Sequence, residues 1–195
     1  MINKFFKRHA VVLTFLSAIF LISLLVGIIL YFKSSNETKL YISDNLTNIK
    51  NELLNNNINN IFRHLLVLVC ISILSFTILG YFSGIIYLFY EGMSIGYTIS
   101  CLVANYALKG LIFGILYNIV FKLLFIILYI FILIKLFDLI KMIINNLIFK
   151  NNINNKTNIR KLILSILIII LIIVVNDIII YFFTNFLLKI LINVL

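Results

Sequence analysis

Apolar positions gather into three runs: Ala10–Phe32, a long stretch over 65–135, and Leu162–Leu188. Each exceeds the ~20 residues that an α-helix needs to cross the hydrocarbon core of a bilayer. The middle run is long enough for three helices joined by tight turns. It is punctuated at Glu91-Gly92 and Lys109-Gly110, and a charged residue followed by glycine is a reasonable helix stop. The pattern therefore predicts membrane helices at about 10–32, 65–90, 93–107, 111–135 and 162–188. The 93–107 segment is short and carries Ser94, Thr98, Ser100 and Asn105, so a re-entrant segment is the alternative there. From Leu162 to Leu195 the chain is too short for two spans and a turn.

The polar stretch 33–63 has its own pattern. Ile42, Leu46, Ile49 and Leu53 recur at i, i+4, i+7 and i+11, on one face of a helix whose other face is rich in Asn. This predicts an amphipathic helix that lies on the membrane surface or docks on a partner through those four residues. The expected fold is an all-α integral membrane protein, a single membrane domain of about five transmembrane helices plus this segment.

Composition excludes a soluble fold. Hydrophobic residues make up 64% of the chain and charged residues 11%, against about a quarter charged in soluble proteins. Proline and tryptophan are absent, and Ile, Leu, Asn, Lys and Phe dominate, the bias of an AT-rich bacterial genome. Cys70 and Cys101 fall in apolar runs and read as small buried residues, not a disulfide or metal site. Lys4, Lys7 and Arg8 before the first run resemble a signal-peptide n-region, but the run is too long, and Phe32 and Lys33 stand where small cleavage-site residues belong. An uncleaved anchor helix is expected.

The net charge of +10 changes the picture by fixing orientation. Lys135, Lys141, Lys150, Lys156, Arg160 and Lys161 stand against Asp138 alone in a basic loop over 135–161. Basic segments favour the cytoplasmic face. Placing this loop and the N-terminal tail inside a bacterial plasma membrane puts 33–63 and the C-terminus outside. The bilayer, not nucleic acid, is the partner this charge suggests.

No catalytic constellation, cofactor motif or metal site is visible. His9 and His64 lie far apart near the starts of apolar runs, and no metalloprotease, nucleophile-elbow or nucleotide-binding motif occurs. Gly80 and Gly84, Gly92 and Gly96, and Gly110 and Gly114 form three Gly-x-x-x-Gly steps, which let helix backbones approach closely in lipid. They serve packing within the bundle, or contact with a partner's helix or a second copy of the chain. Lys122 and Asp177 fall inside apolar runs at matching distances from the basic loop, so an intramembrane ion pair is expected, with a proton or ion relay as the sharper reading. Glu91, beside Gly92, is expected at a turn that reaches water.

The stretch 76–124 resembles the integral membrane family of stage II sporulation protein M. The resemblance rests on Phe-Thr-Ile-Leu-Gly-Tyr-Phe-Ser-Gly, Leu-Phe-Tyr-Glu-Gly-Met-Ser-Ile-Gly-Tyr-Thr-Ile and Lys-Gly-Leu-Ile-Phe-Gly-Ile-Leu-Tyr-Asn-Ile-Val-Phe. Gly92 and Gly96 fall on the Gly-x-x-x-Gly step that ends a helix in that family. Leu116, Tyr117 and Asn118 fall on its Pro-Gln-Asn or Pro-His-Gly element, where Asn118 alone matches, and Leu123 stands in place of a second proline. The resemblance implies a non-enzymatic membrane scaffold for engulfment during endospore formation. Its implied partners are stage II sporulation proteins D and P, which cut peptidoglycan outside the membrane. A small permease or accessory transporter subunit is the alternative that Lys122, Asp177 and the polar 93–107 segment suggest, and a general membrane-integrity protein is the third.

Overall fold

The computed structural model describes residues 2–39, 66, 67, 70, 78–149 and 155–192. Among these, almost every residue is helical and none is in a strand. Lipid offers no hydrogen-bond partners to a backbone, so a chain this apolar must satisfy its amides within each segment.

Among the described residues, four long helices build the fold. Helix α1 spans Ile2–Lys33, α2 spans Ile78–Asn118, a π-helical turn follows at Ile119–Leu123, α3 spans Leu124–Phe149, and α4 spans Asn155–Ile192. Helix α2 is broken at Ala107, whose φ of 50° and ψ of −129° are not helical. The chain reverses there. Tyr129 donates a hydrogen bond to the Gly84 carbonyl at 3.0 Å, the Tyr87 and Phe125 rings lie 6.4 Å apart, and those of Tyr81 and Phe137 lie 5.7 Å apart. Each pair joins positions nearly equidistant from Ala107, the signature of an antiparallel hairpin. Its first limb is 78–106. Its second runs from 108 through the π turn into α3.

Helix α1 lies parallel to the first limb. As α1 advances from Phe20 and Ser23 through Leu24 and Gly27 to Tyr31, its neighbours advance from Gly92 through Met93 and Gly96 to Tyr97. Helix α4 packs on α3, with Ile166 and Ile173 buried in one core with Phe125, Tyr129, Ile132, Leu133, Leu136 and Leu139. Near the start of α1, His9 Nε2 lies 3.6 Å from Asp138 Oδ2, which fixes α1 against α3 at that end.

Three helical segments, His9–Lys33, Leu79–Asn145 and Ile159–Phe183, are long and apolar enough to cross a membrane. The second of these is the folded hairpin. Large apolar side chains remain exposed along them, including Phe15, Leu21, Phe82, Ile86, Leu167, Leu171 and Phe182. Outward apolar faces of this kind are what a lipid solvent requires.

Several sequence expectations are corrected. Glu91-Gly92 does not stop a helix, because the first limb runs unbroken through it. The missing Gly92 side chain admits α1 rather than ending α2. The turn falls at Ala107, where the helix expected over 93–107 ends; Gly110 is no stop and lies inside the second limb, against the Leu102 carbonyl. No loop spans 135–161, since α3 runs to Phe149 and α4 begins at Asn155. Polar Asn and Lys side chains extend these helices past the apolar runs without breaking them. The amphipathic face of Ile42, Leu46, Ile49 and Leu53 lies outside the described residues.

Candidate functional site

Charge enters the bundle interior at the middle of the hairpin. Glu91 is sixteen residues from Ala107, ~24 Å along the first limb, and its neighbour Gly92 lies against Phe20 and Ser23, near the middle of the apolar run of α1. It is 1% exposed, not at an aqueous turn as its Glu-Gly context suggested. Across the hairpin, Lys122 Nζ lies 3.5 Å from Glu91 Oε2 and donates to Ser94 Oγ at 3.3 Å. A buried carboxylate needs a counter-charge and hydrogen bonds to persist in low dielectric. Lys122 supplies the counter-charge.

The π-helical turn carries this lysine. A π turn adds a residue to the helical repeat and re-aims the side chains that follow. Lys122 is the basic residue of that turn. Just before it, Asn118 is 8% exposed and donates to the Gly114 carbonyl at 2.7 Å, while its Oδ1 has no hydrogen-bond partner among the described residues. The Asn118 position singled out by the family resemblance is thus a buried polar residue one helical turn from Lys122.

Three small residues bring α1 against this region. A methyl group at Gly27 would strike the Met93 carbonyl, one at Gly96 the Leu24 carbonyl, and one at Gly92 the Ser23 hydroxyl. Ser23 is fully buried and donates to the Phe20 carbonyl at 2.7 Å. The two helices therefore meet backbone to backbone beside Glu91. Gly110 and Gly114 serve the hairpin itself, under Leu102 and Ile99. Gly84 is buried and accepts from Tyr129, and Gly80 is buried near the start of the limb.

Asp177 occupies the buried stripe of α4, in line with Ile166, Ile170 and Ile173 at helical spacing, and is 7% exposed. Its neighbour Asn176 has a buried amide nitrogen with no hydrogen-bond partner among the described residues. Lys122 lies beside Glu91, a carboxylate that the expected pairing with Asp177 did not include. The signal was positional: Glu91 and Lys122 are nearly equidistant from the turn, but an additional break expected at Glu91-Gly92 hides that symmetry. Gly27 was also missed, although Ser23 and Gly27 form a small-x-x-x-small step in the first apolar run.

Among the described residues no cluster of His, Cys, Asp or Glu could hold a metal ion. Comparison with protein-family models, curated proteins and solved structures finds no match to this chain.

Proposed function

We infer that this chain is a multi-pass membrane scaffold without catalysis of its own. The observation that carries this reading is the close packing: α1 meets the hairpin backbone to backbone at Gly27 and Gly96, Gly92 lies under the Ser23 side chain, and Lys122 pairs with Glu91. A bundle packed this way suits holding a partner better than moving a solute. Five crossings fit its geometry. The parallel run of α1 and the first limb calls for one more crossing between them, in a stretch that lies mostly outside the described residues. The basic end faces the cytoplasm by its Lys/Arg excess.

The setting rests on the motif in 76–124 alone. It is the engulfment complex of a spore-former, with the outer segment docking stage II sporulation proteins D and P through Ile42, Leu46, Ile49 and Leu53. Affinity purification from native membranes tests it. A peptidoglycan-cutting protein should co-purify, and Leu46→Asp with Ile49→Asp should release it without loss of insertion. Recovery of the folded chain with no wall-cutting partner refutes the engulfment setting.

The second reading, a small permease, draws on the intramembrane Glu91–Lys122 pair and the buried Asp177. It requires uptake of a solute by reconstituted vesicles that is lost in a folded Asp177→Asn variant.

A further inference from the structure

The bundle brings together basic residues that are far apart in sequence. The His9–Asp138 contact sets the start of α1 beside α3, and only the five residues 150–154 separate α3 from α4. One end of the bundle therefore carries Lys4, Lys7 and Arg8 on the first turns of α1, Lys135 and Lys141 on α3, and Lys156, Arg160 and Lys161 on the first turns of α4. Asp138 is the one carboxylate at this end among the described residues, and it already faces His9. The opposite end carries Lys33, Lys39 and Lys109, with Glu37 nearby, and Lys39 is turned back to the Phe32 carbonyl at 3.1 Å.

Lys141, Arg160 and Lys161 are exposed. From Lys135 to Lys141 the rise along α3 is ~9 Å, comparable to one headgroup layer. Below the α4 cations lies an apolar face. Arg160, Leu164, Leu167 and Leu171 follow one another at i, i+4, i+7 and i+11, and the three leucines are exposed, with Ile168 beside them. Cations above an exposed aliphatic stripe match one molecule, a phospholipid with an anionic headgroup and acyl chains aligned with the helix.

We propose that Lys141, Arg160 and Lys161 form a binding surface for anionic phospholipid, with the acyl chains along Leu164, Leu167, Ile168 and Leu171 of α4. The surface is separate from the Glu91–Lys122 site and does not depend on the scaffold reading.

The test reconstitutes the full chain in vesicles of phosphatidylglycerol and phosphatidylcholine, extracts it gently, and measures the retained lipid by mass spectrometry. The wild-type chain should retain phosphatidylglycerol several-fold above its bulk share. The combined variant K141Q, R160Q and K161Q should lose this enrichment by about fivefold or more, since each cation near an anionic surface contributes about a factor of five. The combined variant K33Q, K39Q and K109Q at the other end should keep it. The charge-preserving set K141R, R160K and K161R should also keep it, and raised salt should weaken it; these arms decide the matter if the glutamine variant does not fold. Retention at the bulk ratio, or enrichment indifferent to both variants and salt, overturns the proposal. So does full competition by soluble glycerol phosphate, which would mark a phosphate site without a lipid.

Discussion

Removing Lys122 should destabilise the protein more than removing Glu91, and removing both should cost little. At 3.5 Å the two charges attract by about 5 kcal/mol at an effective dielectric of 20, a gain that their desolvation largely offsets. The pair is thus worth little against two apolar side chains, while either charge left without the other is expensive. Methionine suits both positions because it is unbranched, apolar and of similar length. In Lys122→Met the Glu91 carboxylate, with its side chain 2% exposed, stays in the interior at a cost of about 3–5 kcal/mol. In Glu91→Met the Lys122 ammonium sits on a flexible stem, 20% exposed, and can move toward the headgroups, so the cost should stay near 2.5–3.5 kcal/mol. The double variant should fall within about 1 kcal/mol of the original, a coupling of about 4.5 kcal/mol or more. The assay is loss of helicity on titrating sodium dodecyl sulfate into purified protein in mixed micelles, checked against the yield of monodisperse protein. Single effects that add to the double effect within about 0.5 kcal/mol would refute the pairing. Equal single effects would refute the argument from exposure.

Backbone contact at Gly96 leaves no room for a methyl group, so Gly96→Ala should cost more than about 2 kcal/mol, whereas Gly114→Ala, where the added carbon meets Leu102 Cδ1 at 3.2 Å, should stay within about 1 kcal/mol in the same titration. Ala107 holds a positive φ that favours glycine, so Ala107→Gly should stabilise the hairpin by about 1 kcal/mol; a loss of stability would place the reversal elsewhere. In a background with Cys70 and Cys101 replaced by Ala, single cysteines at Asn36 and Leu108 should be labelled from one side of the membrane, and one at Asn145 from the other. Labelling of 36 and 108 from opposite sides would refute the parallel arrangement of α1 and the first limb.

Much of this protein is written in one dimension. An 11% charged chain with apolar runs longer than a bilayer is thick has lipid as its solvent and helices as its backbone, because each amide must bond within its own segment. The runs at 10–32 and 162–188 lie inside α1 and α4 for this reason. Hydropathy is blind, however, to where a uniformly apolar run turns. Glycine beside a charge reads alike whether it ends a helix, as expected at 91–92 and 109–110, or lets two backbones touch, as found at Gly92 and Gly110. The reversal uses Ala107, an ordinary helix former at positive φ, where the helix expected over 93–107 ends and two residues before Lys109-Gly110. With no break at 91–92, Glu91 lies buried in the bundle and not in an aqueous loop. Which cation meets a buried carboxylate depends on helix register and on the direction in which neighbouring helices run. Only the folded hairpin, with α1 parallel to its first limb, sets Lys122 opposite Glu91 and gathers the basic starts of α1 and α4 at one end.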